Sequence, residues 1–251
     1  MLTPSSSVED LYRWLKNKSY LYDGTILAEG PYQLSIQITE SLTPKQLKEL
    51  LLAVENPTTG SIVYKYGYRS FVASSTIADT QLALKYYHRL NLRRQLGYTL
   101  RNSRCMIAWI ASRALYELGI PTPKPIAVFE KKRFGLITDK ALLVTEIAEG
   151  IPLPQFLNNH GNDLKLMDTV AQNCRKIFHK FKEYRIYHGD TAPKNFIISP
   201  TGEVSIIDLD AVCVAMPEPL FTKKHKKDIH QFSTVWINFS SHLEPIFTKY
   251  F

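Results

Sequence analysis

Apolar residues recur at helical spacing in five stretches of the chain, separated by shorter segments of alternating or continuous apolar character. Val8, Leu11 and Leu15 mark the first helix, with Ser7 placed to cap it. Leu47, Leu50, Leu51 and Val54 mark the second. It opens on Thr43-Pro44-Lys45-Gln46, a capping box with proline at the first helical position, and stops before Asn56-Pro57. Ile107, Ile110, Ala111, Ala114 and Leu118 give a third helix between Ser103 and Gly119. Met167, Val170, Ala171, Cys174, Ile177, Phe178 and Phe181 lie on one face of a long helix from about Asp163 to Tyr184. The last pattern, Ile229, Phe232, Val235, Trp236 and Phe239, predicts a helix starting near Asp228.

Strand signals fill the intervals. Tyr20 to Ile38 is β-prone and broken at Asp23-Gly24 and Gly30-Pro31. Ile62-Val63-Tyr64 follows a turn, and Thr80 to Tyr87 is an apolar strand with Lys85 near its end. Leu136-Ile137 and Leu142 to Glu146 read as two strands of one hairpin. Phe196-Ile197-Ile198 and Val204 to Ile207 read as another, joined by Ser199-Pro200-Thr201-Gly202. The pattern predicts an α+β chain: an extension over residues 1–50, a small mixed β-rich part over 51–147 and a mostly helical part over 148–251. The break falls at Glu149-Gly150-Ile151-Pro152.

With 251 residues, 45% hydrophobic and 22% charged, the chain has the composition of a globular protein with a substantial core. Its apolar runs fall short of a membrane span, and its first residues lack a basic segment followed by an apolar one. Cys105, Cys174 and Cys213 form no CxxC pair. Together these features lead us to expect a cytoplasmic protein with unpaired, mostly buried thiols. The net charge of +8 leans towards anionic partners, among which an anionic membrane face and phosphorylated substrates both qualify. No recognised nucleic-acid-binding motif accompanies that charge, so nucleic acid is not an expected partner.

The candidate chemistry lies in Tyr187-His188-Gly189-Asp190-Thr191-Ala192-Pro193-Lys194-Asn195 and in Ile207-Asp208-Leu209-Asp210. Asp190 and Asn195 stand five apart, and Asp208 follows thirteen residues later. Phosphoryl transfer to a hydroxyl needs such a set. One carboxylate orients and deprotonates the acceptor; an amide oxygen and a second carboxylate hold metal ions on the triphosphate. The hairpin after Asn195 would bring Asn195 and Asp208 together at the mouth of one cleft. The simpler alternative is a His-Gly-Asp turn ahead of an ordinary hairpin. Lys85 ordinarily would snorkel at a strand edge, but beside a nucleotide it is the natural partner of the α- and β-phosphates. The turn Asn56 to Ser61 could cover phosphates with its backbone N–H groups, although it holds one glycine, Gly60, and a plain hairpin turn explains it equally well. The basic stretch from His88 to Arg104 reads as a solvated linker of which a minority of residues could touch an anionic surface.

In this order, these residues resemble a protein-kinase-like fold, two-lobed with a β-rich N-lobe and a compact helical C-lobe. More narrowly they are similar to the lipopolysaccharide core kinases, which phosphorylate heptose or Kdo sugars. Leu82-Ala83-Leu84-Lys85, Trp109 through Gly119-Ile120-Pro121-Thr122-Pro123, Leu143-Val144-Thr145-Glu146, the His188-Gly189-Asp190 loop, Ile207 to Asp210 and Lys227-Asp228 carry the resemblance, which covers roughly residues 57 to 240. It implies ATP and Mg2+ as co-substrate and cofactor, with Asp190 as the catalytic base and Asn195 and Asp208 as metal ligands. It further implies Lys85 and Gly60 at the nucleotide phosphates, Glu146 and Ala148 at the adenine through their backbone, and His188 and Asp228 as supports of the catalytic loop. The implied acceptor is a lipopolysaccharide-core-like sugar or glycolipid, reached from the cytoplasm or from the inner face of the plasma membrane. Three departures stand out. Ala108 and Trp109 occupy the helix turn where a glutamate partner for Lys85 is expected, and Glu117 lies near the helix end. Leu209-Asp210 replaces the usual glycine after Asp208, and no Ala-Pro-Glu element follows. Lys194 sits beside Asn195 instead of two residues after Asp190. The alternatives are an atypical protein Ser/Thr kinase and a nucleotide-binding pseudokinase scaffold.

Overall fold

The computed structural model describes residues 1–19, 25–29, 32–39, 42–56, 61–67, 70–88, 102–134, 137–239, 243, 245–246 and 249–250. By contact the chain forms two units. One comprises Lys18–Arg113 and Lys124–Ile147; the other comprises Met1–Asn17, Ala114–Pro123 and Ala148–Phe251.

The helix α1 (Val8–Lys16) belongs to the second unit, and its start is fixed by the reciprocal bonds of Ser7 and Asp10. Leu2, Val8, Leu11 and Trp14 are buried there, and the Tyr184 hydroxyl donates to the Pro4 carbonyl oxygen at 2.9 Å. In the first unit, β1 (Thr25–Glu29) pairs with β2 (Tyr32–Ile38), and α2 (Pro44–Glu55) carries the capping box of Thr43 and Gln46. The strands β3 (Ser61–Tyr66), β4 (Ser70–Ile77) and β5 (Thr80–Tyr87) follow, then α3 (Arg104–Glu117), β6 (Pro125–Arg133) and β7 (Ile137–Glu146). All seven strands form one antiparallel sheet in the order β1-β2-β6-β7-β5-β4-β3.

This sheet redraws two sequence boundaries. Residues 1–50 are not a single segment ahead of the fold, because β2 pairs along its whole length with β6, from Tyr32 opposite Arg133 to Ile38 opposite Ala127. The expected hairpin of Leu136-Ile137 with Leu142–Glu146 is also corrected: residues 137–146 are one strand, whose hairpin partner is β6. The polar interval Thr138-Asp139-Lys140 sits half-buried inside that strand, while the reversal lies earlier, beside Phe134 at φ +52°.

The two faces of the sheet are covered by different helices. Leu50 and Val54 of α2 pack with Phe71, Ala73, Leu84, Phe129, Leu142 and Val144 on one face. Cys105, Ala108 and Trp109 of α3 pack with Val128, Ala141 and Leu143 on the other. Period-2 alternation along β5 therefore puts Leu82, Leu84 and Tyr86 towards α2. Lys85, opposite Leu143, lies on the α3 face.

In the second unit, α4 (Leu153–His160) follows the two-residue strand β8 (Ile151–Pro152), and α5 (Leu164–Glu183) buries the stripe from Met167 to Phe181 that its periodicity predicts. The hairpin of β9 (Phe196–Ile198) and β10 (Val204–Ile206) joins β8 in a three-stranded sheet. The last helix, α6 (Glu218–Phe239), starts ten residues before the expected Asp228. The run Lys223-Lys224-His225-Lys226-Lys227 hides its amphipathicity: the lysines are exposed, while Phe221, His225, Asp228 and Phe232 are buried on one stripe. The end of α3 is tied to α5, since the Lys180 ammonium donates to the carbonyl oxygens of Leu118 at 2.8 Å and Gly119 at 3.2 Å.

Gly150, at φ +117°, leads the chain into β8 with no room for a side chain. A Cβ there would lie 2.1 Å from the Ile198 carbonyl oxygen and 2.5 Å from its carbon. Backbone cannot yield as a flexible side chain can, so Gly150→Ala should cost more than about 1 kcal/mol. Urea denaturation tests this: the midpoint should fall with an unchanged slope, and an unchanged midpoint would refute the described approach of Gly150 to β9.

Candidate active site

The loop from Tyr187 to Asn195 is built from both ends. Tyr187 and Cys213 exchange backbone hydrogen bonds of 2.9 and 2.8 Å, which pins the entry. At the exit, Pro193–Asn195 forms one 3-10 turn that leads into β9, with the Asn195 N–H donating to the Ala192 carbonyl at 2.9 Å. Between them Gly189 takes φ +82°, with Ala211 so close that a Cβ would meet its methyl carbon at 3.0 Å.

Asp228 of α6 holds this loop from below. Its carboxylate accepts the His188 N–H at 2.7 Å and the Gly189 N–H at 3.1 Å, and its carbonyl oxygen accepts the Thr191 hydroxyl at 2.7 Å. Asp228 is only 1% exposed. Burial pushes its carboxyl up to about 6, against the opposing pull of the two amide N–H groups and of Lys227, with Asp190 adding to the rise. His188 is fully buried, and its Nδ1 accepts the Asp190 N–H at 3.3 Å, so a neutral ring carries its proton on Nε2.

The base of the β9–β10 hairpin sets Asn195 opposite the residue that precedes Asp208. Phe196 stands opposite Ile206, and the next rung is the Ile207 N–H donating to the Asn195 carbonyl at 2.9 Å, which leaves Asp208 one residue beyond. The buried Asn195 side chain donates from Nδ2 to the Asp190 carbonyl at 2.9 Å. That bond directs its amide oxygen elsewhere. Asp208 takes φ +64°, a left-handed backbone that aspartate tolerates at some cost. Such outliers persist where the surroundings over-determine them, and they cluster at functional sites. The hairpin is itself anchored to the segment after α3: the Ile206 N–H donates to the Pro121 carbonyl at 3.0 Å, and the Thr122 hydroxyl to the Ile206 carbonyl at 2.9 Å.

Of the expected site residues, Asp190, Asn195, His188 and Asp228 are joined by hydrogen bonds within the second unit, and Asp208 follows Ile207, the backbone partner of Asn195. Lys85 lies half-buried in the sheet unit, its ammonium 5.5 Å from the Tyr87 ring centroid. Glu146 ends β7 in that unit, its N–H donating to the Lys124 carbonyl at 2.9 Å, and Ala148 opens the other. Gly60 lies outside the described residues, as do the basic residues 89–101. Lys194 is exposed. The Glu117 carboxylate accepts the Leu2 N–H at 3.0 Å.

Two polar residues were missing from the sequence reading. Gln231 donates from Nε2 to the Asp190 carboxylate at 3.2 Å, and its position one turn after Asp228 was the available signal. Glu130 of β6 is buried on the α3 face, bonded by the Ser103 hydroxyl and, at 3.2 Å, by Lys132. It supplies a carboxylate on the sheet face where α3 itself brings Ala108 and Trp109. A glutamate directly after the apolar run Ile126 to Phe129 was its only mark.

The anchor is open to test through Asp228. Asp228→Ala leaves the buried His188 N–H and the half-buried Gly189 N–H without their acceptor and should destabilise the protein by about 1–3 kcal/mol for the buried donor and by less for the other. Because the folded carboxyl is raised to about 6 from 3.8, its proton-linked stability is full below about 4 and lost as pH rises through about 6. The stability difference between wild type and Asp228→Asn should therefore shift against wild type from pH 4 to 7. A pH-independent difference in chemical denaturation contradicts the burial of an ionisable group there.

Residues 53–240 match the family model described as the lipopolysaccharide kinase (Kdo/WaaP) family. A search of curated proteins found none that matches the chain.

Proposed function

Because the chain belongs to the lipopolysaccharide kinase (Kdo/WaaP) family, we propose that it moves the γ-phosphoryl group of ATP to a hydroxyl of a heptose or Kdo residue in the lipopolysaccharide core. The observation that carries this reading is the loop anchored on Asp228, which presents the Asp190 side chain, while Asn195 bonds the Asp190 backbone carbonyl and pairs through its own backbone with Ile207, the residue before Asp208. We read the sheet unit and the helical unit as the β-rich and helical lobes of a protein-kinase-like fold.

In this account Asp190 accepts the proton of the attacking sugar hydroxyl and directs its lone pair towards the γ-phosphorus. His188 and Asp228 fix the backbone from which Asp190 projects. Lys85 contacts the α- and β-phosphates, and the backbone of Glu146 and Ala148 receives the adenine. Asn195 and Asp208 offer an amide oxygen and a carboxylate, hard oxygen donors of the kind that hold Mg2+ together with substrate phosphates. Those two side chains would hold Mg2+, which would supply positive charge against the transferring group. No described helix is long and apolar enough to cross a membrane. The charge of +8 would draw the protein reversibly to the anionic face that presents a glycolipid acceptor.

The roles separate experimentally. Asp190→Asn should lower single-turnover transfer by about a hundred- to ten-thousand-fold while magnesium-ATP still binds. Asp208→Asn should instead weaken magnesium-dependent nucleotide binding, read by calorimetry, because a carboxylate ligand is lost. Wild-type turnover in Asp190→Asn removes the base assignment. Lys85→Ala should raise the KM for ATP; an unchanged dependence of rate on ATP concentration takes Lys85 out of the site.

A further inference from the structure

Resting on the reading of Asp190 as the base, we infer that Gln231 is the positioning residue that sets the direction of its carboxylate. Gln231 Nε2 lies 3.2 Å from Asp190 Oδ1. A carboxylate turns about its last torsion with a broad preference, so a single fixed donor decides which way the second oxygen faces. With Oδ1 held, Oδ2 is the oxygen left for the acceptor hydroxyl. The loop itself offers no such donor from the residue two places on, which is Ala192, and Lys194 is exposed.

The donor comes from α6, the helix that already holds the loop. Asp228 takes the amides of His188 and Gly189, and Gln231 follows one turn later on the same side. Neighbours three apart on a helix project together. One rigid element therefore fixes both the backbone of the loop and the orientation of the side chain that it presents. A neutral amide does this without adding a counter-charge beside the base. Preorganisation of this kind matters because a misplacement of about 1 Å at a reacting group can cost a hundred-fold in rate.

The test compares Gln231→Leu, Gln231→Glu and Gln231→Lys in the full-length protein, each alone and the leucine variant also combined with Asp190→Asn. Single-turnover transfer to a core oligosaccharide, calorimetric binding of magnesium-ATP and thermal melting are measured. Gln231→Leu should lose about a hundred-fold in transfer with nucleotide affinity and melting unchanged. Gln231→Glu, the same shape with an acceptor in place of the donor, should lose at least as much and covers the case in which leucine disturbs folding. Gln231→Lys keeps an N–H donor within reach but adds a charge beside the base, so its rate should lie above that of Gln231→Leu and below that of wild type. In the Asp190→Asn background, Gln231→Leu should add nothing, because its effect passes through that carboxylate. Multiplicative losses in the double variant, or full transfer by both Gln231→Leu and Gln231→Glu while Asp190→Asn is impaired, overturn the inference and leave the base standing. Wild-type transfer by Asp190→Asn instead removes the base reading and this inference with it.

Discussion

A buried carboxylate that satisfies two backbone amides is the interaction on which the candidate site depends. Asp228 sits inside the helical unit, where an isolated charge would be expensive, and the His188 and Gly189 N–H groups give it a reason to be there. The arrangement works in both directions. Without the acceptor, the buried His188 N–H and the half-buried Gly189 N–H would lose their partner; without the donors, the acid would be a burden on the helix core. From this anchor follow the left-handed Gly189, the ring of His188 under the Asp190 amide and the direction in which Asp190 leaves the loop.

The second constraint is the short hairpin. Its pairing makes Asn195 and Ile207 partners in the rung after Phe196 and Ile206, so that Asp208 follows directly in a left-handed conformation. The hairpin is held at its sides as well as its ends. Gly150 lets β8 approach β9, while Pro121 and Thr122 receive and support Ile206. Strain at Asp208 is then borne by a well-bonded framework, the setting in which an unfavourable backbone can persist.

Much of this was legible because the signals are local. Caps at Ser7, Thr43 and Ser103, the long stripe of α5 and the turn between β9 and β10 are each set by neighbouring residues, and each element lies where the spacing put it. The spacing of Asp190, Asn195 and Asp208 likewise survives folding because one loop and one hairpin connect them. What was not legible depends on partners distant in sequence. β2 looked like an extension because nothing in its own residues names β6, ninety or so positions away, as its neighbour. The start of α6 was obscured by lysines that solvate its outer face, and the polar middle of β7 imitated a turn. Gln231 and Glu130 acquire meaning only once Asp190 and Ser103 are placed beside them.

The central claim is transfer of phosphate to a lipopolysaccharide-core sugar. Its most direct test is incubation of the purified protein with γ-labelled ATP and Mg2+ in three parallel reactions: core oligosaccharides bearing heptose and Kdo, a peptide mixture, and buffer alone. The account predicts label on the sugar, abolished by Asp190→Asn, and little on peptide. Label on peptide alone, or none on any acceptor while magnesium-ATP binds, would contradict it.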